Sequence, residues 1–232
     1  MSRYDGAFDS EPNEWNGWGL SQALACERKL CFKDSPLFQG VPLQPKTLRM
    51  FDMGSAAEMV VKLNHPDMQL TMQQFKVRVL DRGGKLDGVI VDNAIKEAFI
   101  WECKSMNSRA FAKFKQGVKA GKGVRELKPQ YYAQAQLYMH AMNEYGITFY
   151  GKPIVQTIFT IIERDMGDIS VTVFRYDNVF VSSIVLKRID KVNAAKAEGA
   201  ILGVPNYLEP WECNYCDFKS TCKAKPQSKF KT

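Results

Sequence analysis

The chain has 232 residues, 45% of them hydrophobic, with a formal net charge of +7 and a pI of about 9.0. That composition excludes a disordered chain, and no apolar run reaches the roughly 18 residues of a spanning helix, so no membrane partner is expected. The length suits one domain with a small appendage, and the positive balance favours a polyanionic partner without identifying one.

Residues 1–20 read as an irregular arm. Its first 18 positions carry four acids (Asp5, Asp9, Glu11, Glu14) against Arg3, and Trp15 and Trp18 are available to pin it. This polar start has no apolar signal-peptide region, so a cytoplasmic setting is expected. Ser21 is placed to cap a helix through Leu24 to about Leu30, which holds Cys26, with Cys31 just beyond. Three prolines and a glycine between 34 and 46 predict a loop. Met50, Met53, Ala57, Val60 and Val61 recur near helical spacing and predict a helix over 48–63, which carries Gly54 and Glu58. Gln69 to Leu80 alternates and is rich in β-formers, predicting one strand.

Gly83 to Ser105 then reads as a hairpin. Its first strand, Leu86 to Val91, carries Asp87 at its start; the second, Ala98 to Lys104, ends in Glu102, Cys103 and Lys104. Residues two apart on a strand face the same way. Glu102 and Lys104 therefore share a face near Asp87, and Cys103 turns to the core. Two carboxylates can hold a hard divalent cation through oxygen. A lysine beside them can orient or deprotonate a water, which together is a minimal device for phosphodiester hydrolysis. The plainer alternative is a solvated face with a surface salt bridge.

From Met106 to Lys128 there are seven bases (Arg109, Lys113, Lys115, Lys119, Lys122, Arg125, Lys128) and one acid, Glu126. Phe111 and Phe114 interleave with them, and Gly117, Gly121 and Gly123 predict a partly mobile segment. Such a segment suits phosphate contacts with base stacking on the phenylalanines; a solvated basic loop is the alternative. Pro129 opens a helix closed by Gly146, on which Gln134 and Tyr138, four apart, share a face. Pro153 to Arg175 gives two strands joined at Asp165 to Gly167, and Asn178 to about Ala197 another helix. Pro205 and Pro210 flank a linker into the last segment, whose tail past Cys222 is expected to fray.

Cys213, Cys216 and Cys222 stand at metal-ligand spacing. Three thiolates do not complete a four-sulfur site, so a fourth comes from Cys26, Cys31 or Cys103. A zinc ribbon more often shows two paired cysteine motifs, and a lone trio with a distant fourth ligand suits an iron–sulfur cluster at least as well. Structural disulfides are rare in the cytosol; buried free thiols are the remaining alternative.

Taken together, Asp87, Glu102, Lys104, Gln134, Tyr138 and the cysteines make the sequence resemble a PD-(D/E)XK nuclease of the RecB-like group. Within that group it is most similar to the CRISPR-associated Cas-four exonucleases, their phage relatives and the AddB-type nucleases. The resemblance runs from Ser21 to Cys222. It implies an α/β fold: a restriction-endonuclease-like core of a central mixed sheet flanked by helices, with the two chain ends joined at a four-cysteine metal cluster. The domains would be the arm (1–20), a nuclease domain (21–204, a helical part 21–65 and a catalytic core 66–204) and a cysteine segment with basic tail (205–232).

The resemblance implies Mg²⁺ or Mn²⁺ on Glu58, Asp87, Glu102 and the Cys103 backbone carbonyl, with Lys104 positioning water and Gln134 and Tyr138 holding the DNA strand. Glu58 replaces the histidine common in RecB-like members, as in phage lambda-type exonucleases. His65 lies outside the pattern and reads as a surface residue. Cys26, Cys213, Cys216 and Cys222 would hold a 4Fe-4S cluster, or Zn²⁺ as the alternative; the usual proline after the first of these is Glu27 here. Arg109, Lys113, Lys115, Lys119, Lys122 and Arg125 would contact DNA. The implied function is metal-dependent exonucleolytic hydrolysis of single-stranded or frayed DNA ends in recombination, repair or CRISPR adaptation, with a partner protein from such a pathway. The alternative is a non-catalytic DNA-binding accessory module with a structural four-cysteine site.

Overall fold

The computed structural model describes residues 17–42, 45–205 and 210–222. Most of the arm, including Trp15, and the tail past Cys222 lie outside them. Trp18 and Leu20 do not belong to a loose arm: both are buried in the main core. The helix expected from Ser21 is a short 3-10 turn, Leu20–Gln22, followed by α1 (Glu27–Asp34) with Cys26 as its N-cap. The break has a local cause. Arg188 donates to the carbonyls of Ala23 (3.0 Å) and Ala25, which takes both out of any helical ladder.

Helix α2 spans Pro45–Asn64. Only part of its apolar pattern is buried: Ala57 and Val61 pack on the sheet, whereas Met50, Met53 and Val60 are exposed. The single strand expected over 69–80 is two strands in different sheets, β1 (Leu70–Thr71) and β2 (Lys76–Val79). Met72 and Gln74 between them adopt positive φ of 48° and 55°, which breaks the extended run. A further strand, β3 (Arg82–Lys85), pairs antiparallel with β2.

The expected central hairpin is present as β4 (Gly88–Asp92) and β5 (Glu97–Met106), antiparallel with Gly88 opposite Trp101. The basic stretch that follows is helical: α3 (Ser108–Lys119) and α4 (Val124–Leu127). Phe111 and Phe114 point inward, at 3% and 2% exposure, so they are core and not a stacking platform. Gly117 is explained by packing, not mobility. A Cβ there would lie 2.4 Å from Leu127 Cδ2.

Helix α5 (Pro129–Glu144) starts at Pro129 as expected. Buried residues surround it, from Tyr132 to Met142, because the sheet lies on one side and other elements on the rest. After the small hairpin of β6 (Thr148–Phe149) and β7 (Lys152–Pro153), strand β8 (Gln156–Glu163) runs parallel to β5, and β9 (Ile169–Arg175) returns antiparallel. The main sheet is thus mixed, in the order β1-β4-β5-β8-β9. The parallel β5–β8 step is made possible by the long crossover through α3–α5.

A last helical stretch comprises α6 (Asn178–Phe180), a π-helical turn (Val181–Leu186) and α7 (Lys187–Ala197). Two short helices, α8 (Pro210–Asn214) and α9 (Lys219–Cys222), carry cysteines. Arg82 ties β3 to α1 and α7. It pairs bidentately with Asp34 (2.8 and 2.7 Å), bonds Asn193 and lies 4.2 Å from the Trp18 ring centroid. Removing one partner would leave the other charge buried, a loss of about 3–5 kcal/mol.

Candidate active site

The β4–β5 register builds the site. Asp87 directly precedes β4, so it falls beside Glu102 on β5, and its Oδ2 accepts the Cys103 amide N–H at 2.8 Å. Strand alternation sends Ile100 and Met106 into the main core with α5, and Trp101 and Cys103 into a second cluster under α2. Glu102 and Lys104 therefore share a face, as the sequence predicts, and that face is the one toward α5. Lys104 Nζ forms an ion pair with Glu102 Oε1 and lies 5.6 Å from the ring centroid of Tyr131 on α5.

Burial sets the electrostatics. Glu102 is 0% exposed, and loss of solvent, with Asp87 adding repulsion, lifts its carboxyl to about 8 against the pull of Lys104. Asp87 is raised for the same reason, against Lys104 and the Cys103 amide. Burial works to lower Lys104, but the carboxylates of Glu102 and Asp87 override it and hold the ammonium well above its ordinary value. Glu102 Oε2 is buried with no hydrogen-bond partner among the described residues. A hard cation there would satisfy that orphaned oxygen and neutralise the crowded carboxylates, so these residues fit a divalent ion.

Glu58 comes from the opposite side of the sheet, on α2, which packs against β5. Its charge reaches both Asp87 and Glu102. Its Oε1 is held by Lys62 Nζ (2.6 Å) and Gln74 Nε2 (3.2 Å). Among the described residues no three acidic, histidine or cysteine side chains converge as a ready metal site. The three carboxylates are near one another, but each has a protein cation or amide on it.

Gln134 and Tyr138 share a face of α5, yet that face is buried. Gln134 Nε2 donates to Tyr138 Oη (2.8 Å), which donates to the Lys85 carbonyl (2.9 Å). Burial raises the Tyr138 hydroxyl, so it stays protonated. The pair anchors β3 two residues before Asp87, and neither side chain is open to a strand. The basic residues divide. Lys115 pairs with Asp168 (3.6 Å), and Arg125 pairs with Asp177 (3.1 Å) beside the Phe180 ring. Arg109, Lys113, Lys119 and Lys122 are exposed with no ion pair among the described residues.

The first and last described segments meet. Cys26, Cys213, Cys216 and Cys222 line one cavity of about 290 Å³, together with Phe32 and Gln130. The C-terminal segment is held to α1 by Phe218 stacked on Phe32 (5.4 Å between centroids), by Lys29 on Asp217 (3.2 Å) and by the Val41 amide on the Asp217 carbonyl (3.0 Å). Burial raises the Cys26 thiol; the Lys29 and Arg28 amides bond to it and oppose that rise. Cys31 is in the main core, and Cys103 is in the second cluster, its thiol pushed up to about 12 by burial and then by Asp87. His65 is exposed and apart from the site. Sequence reasoning missed Lys62, Gln74 and Tyr131. Only Lys62 had a signal, its place four residues after Glu58.

No protein-family model matches the sequence, and no curated protein does. The fold does have solved counterparts. The alkaline exonuclease LHK-Exo from Laribacter hongkongensis superposes with a TM-score of 0.51 at 14% identity, over 79% of this chain and 91% of that one. The same protein in complex with dAMP gives a TM-score of 0.52 at 14% identity and the same coverage. At that identity the likeness is one of fold.

Proposed function

We propose that this protein is a metal-dependent DNA exonuclease of the PD-(D/E)XK type, acting on single-stranded or frayed ends. The observation that carries the reading is the Asp87–Glu102–Lys104 group where β4 begins beside β5, with Glu102 fully buried, its neighbours half-buried, and a carboxylate oxygen without a hydrogen-bond partner among the described residues. A structural salt bridge needs no second carboxylate beside the buried one, and crowding two is costly without a cation. The shared fold with an alkaline exonuclease supports it.

Glu58, Asp87, Glu102 and the Cys103 carbonyl would hold Mg²⁺ or Mn²⁺. The ion supplies Lewis-acid activation of water and charge neutralisation at the phosphate. Lys104, kept protonated by its carboxylate neighbours, donates to the attacking water or the non-bridging phosphate oxygen and offsets negative charge as it builds. Tyr138 and Gln134 hold the Asp87 turn through the Lys85 carbonyl, so they position the ligands and do not grip the strand. Arg109, Lys113, Lys119 and Lys122 offer phosphate contacts along and beyond α3, with Lys115 and Arg125 contributing only by exchanging their present partners. Cys26, Cys213, Cys216 and Cys222 would hold an iron–sulfur cluster, with Zn²⁺ the other candidate. Their shared cavity supports either, and joining residues 187 positions apart, from Cys26 to Cys213, would clasp the chain ends. Recombination, repair and CRISPR adaptation are the settings such an activity suits.

The test is DNA labelled separately at its 5′ and 3′ ends, incubated with Mn²⁺ and then with chelator. A nuclease releases label from an end with Mn²⁺ and stops with chelator. A binding module shifts the DNA in both conditions and cuts in neither.

A further inference from the structure

Lys62 carries chemistry that no motif singles out. It lies one turn beyond Glu58 on α2, with its Nζ 2.6 Å from Glu58 Oε1. The same ammonium is 5.4 Å from the ring centroid of Trp101, a buried β5 residue whose indole is fixed to Thr160 at 3.1 Å. Its charge also reaches Asp87. The two side chains are 24% and 18% exposed, so this is not a solvated helix pair that comes and goes. Lys104 holds Glu102 on one side of the sheet, and Lys62 holds Glu58 on the other.

Charge balance gives the arrangement a meaning. With a cation bound to displace the Glu102 proton, the carboxylates of Glu58, Asp87 and Glu102 face two lysines, a sum of one negative charge before the ion is counted. One divalent ion turns this into one net positive, and a single phosphodiester neutralises it. A second divalent ion, about 3.5–4 Å from the first in two-metal sites, would leave two positive charges unmatched among half-buried side chains.

We propose that Lys62 is a second functional lysine of this site, standing in for a second divalent cation: it holds Glu58 toward the carboxylate group and supplies the charge that lets a single ion serve. The inference rests on the nuclease reading above. It has a consequence that a structural salt bridge does not. Lys62 and the metal compete for Glu58, so removing Lys62 tightens metal binding while it weakens hydrolysis. Losing a merely structural contact would loosen Glu58 and weaken both.

The experiment is Mn²⁺ titration by calorimetry of the full chain, alongside DNA hydrolysis, for wild type, Lys62→Met, Lys62→Gln and Lys62→Arg. Lys62→Met should bind Mn²⁺ about tenfold tighter, the order of the Coulomb gain from removing a unit charge near a divalent ion in high dielectric. Its Mn²⁺ stoichiometry should rise from one toward two, and its kcat should fall about 100-fold. Lys62→Gln, which keeps a donor for Glu58 without the charge, should follow Lys62→Met and serves if that variant does not fold. Lys62→Arg should stay near wild type in metal affinity. Mn²⁺ affinity unchanged or weaker in both neutral variants would overturn the role of Lys62 and leave the nuclease reading standing. A wild-type chain that neither binds Mn²⁺ nor cuts DNA would overturn both.

Discussion

Replacing Glu102 by glutamine isolates what it takes to bury that carboxyl. Its pKa rises from 4.5 in the open chain to about 8 in the fold. Between those values the folded chain keeps a proton that the unfolded chain gives up, so stability is highest at the acid end and falls as pH rises through the window. One proton of difference is a slope of about 1.4 kcal/mol per pH unit, or about 3 kcal/mol between about pH 5 and about pH 7.5. Glutamine keeps the shape and has no proton to lose. Urea unfolding of both proteins across that range, in buffer freed of divalent ions, measures the effect. The wild-type-minus-variant difference cancels the titrating groups that do not interact with Glu102, and it should move by about 3 kcal/mol against the wild type. Mg²⁺ at about 100 times its Kd should return about 2.7 kcal/mol to the wild type and nothing to Glu102→Gln. A difference that stays constant with pH would refute the claim that Glu102 is a desolvated carboxyl awaiting a cation.

Tyr138→Phe should cost about 1–2 kcal/mol in unfolding experiments, by breaking the Lys85 and Gln134 bonds. It should also slow cleavage while leaving DNA affinity unchanged in a binding titration, since the hydroxyl does not face the strand. Alanine at Lys113, Lys119 and Lys122 should flatten the slope of log affinity against log salt by up to about 0.7 per lost contact on single strands. Lys115→Ala should change that slope less, because its partner is already Asp168. Protein purified without oxygen should be brown and carry about four irons per chain. Cys26→Ala should bleach it, and Cys31→Ser, altering a core thiol outside the shared cavity, should keep the colour.

What the sequence made legible follows from strand period. Glu102 and Lys104 could be placed on one face, and Cys103 on the other, because alternation is local, and Asp87 followed from antiparallel pairing. Helix α5 was equally readable from pattern, whereas the mixed sheet was an expectation from the resemblance alone. The misreadings have long-range causes. The stretch read as a hairpin from Gly83 starts its first strand at Leu86, yet Gly83 and Gly84 belong to β3, and a Cβ on Gly84 would meet Tyr138 at 2.8 Å. Phe111 and Phe114 sit three apart among lysines, and only the packing of α3 on β8 shows that they face inward. Cys26 caps a helix and does not lie within one because Arg188, 163 positions from Ala25, draws the preceding carbonyls away. Lys62 and Gln74 acquire meaning only when α2 is laid over β5.

The central claim is a divalent cation at the carboxylate group on β5. Crystals grown with Mn²⁺, with anomalous scattering recorded at the manganese edge, test it most directly. One peak is predicted about 2.1 Å from oxygens of Asp87, Glu102 and the Cys103 carbonyl, with Glu58 reached directly or through water. Manganese absent from that position in crystals of protein that still cuts DNA would contradict it.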